Sequence, residues 1–197
     1  MDIFDYDTGG FINRIPMPMG VESVWAEGDY IYFAATYSGV FISTVSGLST
    51  SPYKQYPDIT SNEVRYLHGA GDYLCVTTVS GVDRYKISTA GREYTTLNNA
   101  HKCFQVDTGD YYYITNPVSG TSGLHAVYES GGGHTYLAQQ DAVIDDVSIN
   151  DIYVTEGTSE YSYGNVVFLA TTSGAYVIEE RRGDEDNCRK KIYYIES

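Results

Sequence analysis

The chain has 197 residues, of which 42% are hydrophobic and only 19% charged, and its formal net charge is −14. That length fits one domain or one repeat array and buries a core without disulfide or metal staples; with 12 Lys and Arg against 26 Asp and Glu, the chain lacks the cations that neutralise a phosphate backbone or an anionic membrane surface. Tyr (21) and Gly (20) are the conspicuous residues, a usage that suits strands and tight turns and, with the β-branched content, argues against disorder.

The first residues, Met1-Asp2-Ile3-Phe4-Asp5-Tyr6-Asp7, carry neither a positive leader nor an apolar stretch, so no signal peptide is expected. No segment reaches the length of a membrane span, and a soluble protein is expected. Asp2 to Ile15 reads as a single hairpin turning at Thr8-Gly9-Gly10. Self-similarity then takes over. Gly28-Asp29-Tyr30-Ile31-Tyr32, Gly71-Asp72-Tyr73-Leu74-Cys75, Gly109-Asp110-Tyr111-Tyr112-Tyr113 and Gly164-Asn165-Val166-Val167-Phe168 each open a strand that ends at a Ser-Gly pair and a further strand. The glycines of those pairs stand at 39, 81, 123 and 174, giving periods of 42, 42 and 51 residues.

The flanks repeat as well. An upstream strand is predicted at Val21 to Ala26, Glu63 to His68, Lys102 to Val106 and Asp151 to Thr155. A downstream strand is predicted at Tyr53 to Tyr56, Glu93 to Leu97, His134 to Ala138 and Lys191 to Ile195. Each unit therefore holds four antiparallel strands joined by Gly, Asn, Asp and Ser turns, and helix is expected to be almost absent.

A four-stranded unit of about 40 residues has the size of a propeller blade, whose faces are both covered by neighbouring sheets. The middle strands fit, since Ile31, Phe33 and Ala35 on one face and Tyr30, Tyr32 and Ala34 on the other are apolar. The expected fold is all-β: a β-propeller of four-stranded antiparallel blades, with about four full repeats plus an N-terminal half-blade hairpin. The expected organisation is a single domain over 1–197, with the half-blade at 1–18 and repeats at about 20–58, 62–98, 100–140 and 148–197. Four blades and a half favour a five-position ring with one thin or partner-completed blade over a closed four-blade ring; an open array finished by another chain is the other alternative.

The turn, Gly-Asp-Tyr-Ile-Tyr strand and Ser-Gly-Val turn resemble the generic propeller repeats of the WD-repeat, kelch and regulator-propeller type. The Gly-His and Trp-Asp dipeptides of WD repeats and the double glycine of kelch repeats are missing, and the single Trp25 cannot mark every blade. In size, acidity and texture the chain also resembles small propeller accessory proteins of tailed-phage particles, which would imply a place in a virion.

Chemistry-bearing patterns are few. His68, His101, His125 and His134 fall at different places in their repeats and make no ligand spacing, and Cys75, Cys103 and Cys188 form no Cys-x-x-Cys pair. The Ser-Gly pairs recur in every unit, as turns do and a nucleophile does not. Gly131-Gly132-Gly133 lacks the Lys-Ser/Thr of a phosphate loop, and Asp5-Tyr6-Asp7 lacks the closing Glu of a calcium loop, Pro16 standing there instead. Asp29, Asp72 and Asp110 are expected to bond the backbone two residues on; a ring of channel-lining carboxylates is the sharper alternative. No catalytic residue, metal or cofactor is predicted.

The candidate interaction residues are the charged tip Arg181, Arg182, Asp184, Glu185 and Asp186, and the tyrosines Tyr161, Tyr163, Tyr193 and Tyr194. They lead to a non-enzymatic interaction protein that docks into an assembly, with other proteins or copies of itself as partners and a virion as the specific setting. A lectin-like, glycan-binding or receptor-binding propeller is the alternative, a propeller enzyme a third; nucleic acid and membrane insertion are excluded.

Overall fold

The computed structural model describes residues 2–14, 20–44, 54–55, 59, 61–96, 100–106, 109–115, 123–130, 133–136, 148–156, 164–181 and 189–196. They form a two-stranded hairpin, β1 (Asp2–Phe4) and β2 (Phe11–Arg14), and four antiparallel sheets of four strands. The first sheet holds β3 (Val21–Glu27), β4 (Tyr30–Ala35), β5 (Gly39–Thr44) and β6 (Lys54–Gln55). The second holds β7 (Val64–Ala70), β8 (Tyr73–Thr78), β9 (Gly81–Lys86) and β10 (Gly91–Thr96), and the third β11 (Ala100–Gln105), β12 (Tyr111–Thr115), β13 (Leu124–Ser130) and β14 (Gly133–Tyr136). The fourth holds β15 (Ile149–Glu156), β16 (Asn165–Thr171), β17 (Gly174–Arg181) and β18 (Arg189–Glu196).

In every sheet the strands neighbour one another in chain order, the meander that hairpin turns impose. The repeat thus appears as one sheet per unit, with the Gly-Asp or Gly-Asn turn before the second strand and the Ser-Gly turn before the third. The helical content among the described residues is one 3-10 turn, Ile87–Thr89, ending at Ala90 with φ 51°.

The chain divides into two compact units, Met1–His101 and Lys102–Ser197. In the first, the sheets β3–β6 and β7–β10 face each other across a core of Tyr32, Ala34, Val40, Leu67, Leu74, Val76 and Tyr85. Trp25, on β3, lies flat against Gly69 on β7, where a Cβ would collide with the indole. Beside it the Ser23 hydroxyl accepts the Leu67 amide and donates to the Leu67 carbonyl, each at 3.3 Å, so the first strands of the two sheets run side by side. In the second unit, sheets β11–β14 and β15–β18 enclose Tyr112, Ile114, Ile152, Val154, Val167, Leu169 and Ile178. There the first strands are tied by Lys102 and Asp151 at 2.8 Å and by the edge-on rings of Phe104 and Tyr153 at 5.3 Å.

Three of these first strands carry an irregularity at one place, between Val21 and Ser23, Val64 and Tyr66, and Ile149 and Asp151. One extra residue there twists the strand and shifts the side chains that follow.

Cys75 and Cys103 are buried thiols outside any disulfide. The most polar interior is on β9, where Asp83 and Arg84 are fully buried. The Arg84 guanidinium lies 4.0 Å over the Tyr73 ring and 3.6 Å from the Glu93 carboxylate, partners that offset part of the cost of burying a cation.

Candidate interaction face

At Asp72 the Gly-Asp turn corrects one expectation, because its carboxylate bonds run sixteen residues on and not two. Asp72 reaches across its sheet to the β9–β10 turn, accepting the Ser88 amide at 2.7 Å and the Ser88 hydroxyl at 2.6 Å, and the hydroxyl above all holds its carboxyl below the usual carboxylate range. Asp110 is buried beside Asn165, whose amide lies 3.5 Å from the carboxylate and donates to the Tyr112 hydroxyl at 2.8 Å. Asp29 is exposed. Repeat-equivalent residues therefore sit in three different environments.

The Ser-Gly turns share a device that the sequence reading passed over. The Thr78 hydroxyl accepts the amides of Ser80 and Gly81 at 3.1 and 3.2 Å and donates to the Gly81 carbonyl. The Thr171 hydroxyl accepts the Ser173 amide at 3.2 Å and donates to the Gly174 carbonyl at 2.8 Å, and the Thr115 hydroxyl accepts the Gly123 amide and donates to the Gly123 carbonyl. In the first sheet Ala35 takes the place of the threonine, and the longer turn bends instead through Tyr37 at φ 60°, ahead of Gly39 at φ 90°. The signal was visible as a Thr closing the second strand of the last three repeats.

Asp5 accepts the amide and the hydroxyl of Thr8, both at 2.7 Å, an ordinary closed turn of the N-terminal hairpin. His125 stacks on Tyr113 at 4.6 Å and is held below the ordinary histidine range by burial. Among the described residues no group of three His, Cys, Asp or Glu converges as a metal cage would. No helix among them is long and apolar enough to cross a membrane.

The departure from an evenly covered repeat lies on the fourth sheet. Strand alternation sends Ile152, Val154, Val167, Leu169 and Ile178 into the core of the second unit. The opposite face carries Tyr153 and Phe168, which are cross-strand partners and remain 59% and 41% exposed. Their row continues through Val177 to position 193, while Ala170 and Ala175 lead to Ile195, which is 56% exposed. The expectation that middle strands are covered on both sides holds for β8 and β12, whose residues are nearly all buried, and fails for β16.

Of the predicted interaction residues, Arg181 lies on β17 opposite Arg189, and Tyr193 and Tyr194 lie on β18 opposite Val177 and Tyr176. In the same register Glu179 and Glu180 stand opposite Lys191 and Lys190. Arg182, Asp184, Glu185, Asp186, Tyr161 and Tyr163 fall outside the described residues. Tyr153 and Phe168 were not singled out from sequence, because alternation alone does not say which face of a terminal repeat stays uncovered.

No family model and no curated protein matches the chain. Solved structures do. The β-propeller domain of Cps50 (Swd1) from Myceliophteria thermophila superposes with a TM-score of 0.61 at 12% identity, over 85% of this chain and 54% of that one. The extracellular domain of a putative one-component system from B. thetaiotaomicron gives 0.58 at 15% identity, over 88% of this chain and 23% of that one. The computationally designed Ika4 protein gives 0.56 at 11% identity, over 91% and 94%. The chain thus spans about half the length of the Cps50 propeller domain. At these identities the likeness concerns the fold alone, and the fold is that of a β-propeller.

Proposed function

We propose that this chain is a non-enzymatic interaction propeller that docks into a larger protein assembly, with a component of a tailed-phage type virion as the specific reading. The observation that carries it is the face of the fourth sheet on which the cross-strand pair Tyr153 and Phe168, with ring centroids 6.3 Å apart, and Ile195 in the neighbouring row lie open. A lone exposed apolar residue needs no explanation, but an aromatic pair left open on a regular sheet suits a surface that meets a partner. Aromatic side chains suit this role because they contribute large area at low entropy cost.

The net charge of −14 favours protein partners over polyanions. A glycan-binding propeller calls for matching pockets from blade to blade, and the differing surroundings of Asp29, Asp72 and Asp110 weigh against it.

The reading is tested by incorporation. In particles purified from the source, the chain should sediment with the assembly at fixed stoichiometry, and a Tyr153→Glu/Phe168→Glu double variant that melts normally should be left free. Binding across a glycan panel, undisturbed by those substitutions, would transfer the case to the lectin reading.

A further inference from the structure

The fourth strands of the four sheets form their outer edges in different ways. Among the described residues β6 spans two residues and β14 four, and the pairing of β10 shifts register between Arg92 and Tyr94. β18 runs for eight residues, Arg189–Glu196, in register with β17 from end to end, and among the described residues it pairs with β17 alone. Its sequence holds neither Pro nor Gly. A short strand, a bulge or a proline keeps an outer edge from accepting another chain, and β18 has none of the three. Its one guard is the run Arg189, Lys190 and Lys191, after which Ile192, Tyr193, Tyr194 and Ile195 follow without a charge.

From this edge we infer that the chain binds an extended segment of a partner protein, added antiparallel to β18 as a fifth strand, apolar in its first half and acidic in its second. Register supplies the chemistry. β17 sets Tyr176, Val177 and Ile178 opposite Tyr194, Tyr193 and Ile192, and Glu179 and Glu180 opposite Lys191 and Lys190. A segment on the outer edge stands opposite the same residues of β18. The order that suits β17 therefore suits it too: aromatic and β-branched residues first, then carboxylates. Three of the chain's 12 cations stand consecutively at 189–191, so an acidic segment that the charge of −14 repels elsewhere has its place here.

A second copy fits this edge less well. Two β18 strands paired antiparallel over their whole length would set Lys190 and Lys191 opposite Ile195 and Tyr194, leaving the cations without an acidic complement. The inference adds a partner chemistry to the reading of the chain as an interaction protein. It concerns the edge of the fourth sheet, so it and the face carrying Tyr153 and Phe168 can fail separately.

The probe is the synthetic octapeptide Gly-Ala-Tyr-Val-Ile-Glu-Glu-Arg, the sequence of β17, titrated against the intact chain by fluorescence anisotropy. Binding should be weak, with a dissociation constant on the order of 10 μM, because ordering a flexible peptide offsets much of the main-chain bonding. The same peptide with Lys in place of both Glu should bind about tenfold more weakly, and a fully N-methylated version, which has no donors for the ladder, should not bind. Amide hydrogen exchange should show added protection over 189–196 and no loss over 174–181. A chain carrying Glu179→Lys, Glu180→Lys, Lys190→Glu and Lys191→Glu keeps opposite charges in register and should prefer the Lys peptide. No binding, binding indifferent to charge reversal or to N-methylation, or lost protection over 174–181, which would mean exchange with β17, overturns the inference. A mass of twice 21.8 kDa in light scattering, with the peptide excluded, would give the edge to a second copy and overturn it as well. If the peptide fails while incorporation into particles still depends on Tyr153 and Phe168, the edge falls and the docking face stands.

Discussion

The side-chain amide of Asn165 donates to the Tyr112 hydroxyl at 2.8 Å and lies 3.5 Å from the Asp110 carboxylate, all three residues being buried. Asn165 occupies the position at which the other three repeats carry aspartate. The departure has a physical reason: an aspartate at 165 would set two carboxylates together inside a low-dielectric core.

Asn165→Asp restores the repeat and should nevertheless cost about 3 kcal/mol at neutral pH, because it replaces a donor with a second buried anion. The loss should shrink in mild acid, where one proton shared by the pair recovers a donor. Urea unfolding of the variant at neutral and acidic pH checks both; a variant as stable as the parent at neutral pH would contradict the arrangement.

Gly69 has no room for a methyl group under the Trp25 indole. Gly69→Ala should lose about 1–3 kcal/mol by overpacking. The loss should be smaller in a Trp25→Leu background, where the ring is gone, and a double-mutant cycle on thermal unfolding measures that coupling.

The turn threonines predict a repeated effect. Thr78→Val keeps the shape and β propensity but orphans the amides of Ser80 and Gly81, so it should cost about 1–2 kcal/mol. Thr171→Val should cost less because its site is partly open to water. Chemical denaturation of the two variants ranks them.

His125 and Asp72 give stability the same sign of pH dependence. Burial lowers the His125 pKa from 6.5, so the unfolded chain binds the proton more readily; the contribution is complete above that value and is lost as pH falls through the depressed one. The Ser88 hydroxyl lowers Asp72 from 3.8, so its contribution is present above 3.8 and is lost as pH falls further. His125→Phe keeps the stack on Tyr113 and should flatten the melting temperature against pH just below neutrality, while Asp72→Asn should lower it wherever the carboxylate is ionised and flatten the acid limb.

The repeat was legible because hairpin chemistry is local. Gly28-Asp29, Gly71-Asp72 and the Ser-Gly pairs mark strand ends by residues that tolerate turns, and the strands between them declare themselves by β-branched and aromatic content. Packing between sheets was not legible. The indole of Trp25 on Gly69, the buried Arg84 over Tyr73 and the uncovered pair of Tyr153 and Phe168 depend on which faces meet, and alternation gives two faces without saying which is inner. The same limit hid the long-range neighbours of two aspartates, Ser88, 16 residues from Asp72, and Asn165, 55 residues from Asp110.

Photo-crosslinking from position 168 shows whether this face of the fourth sheet meets a partner. With a benzophenone side chain in place of Phe168, irradiation in the source assembly should give one discrete protein adduct, whether to a second copy or to another component, and the same probe at Tyr37 should not. Absence of any protein adduct at 168, with the probe incorporated and the chain folded, would contradict the assignment of this sheet face as the interaction surface.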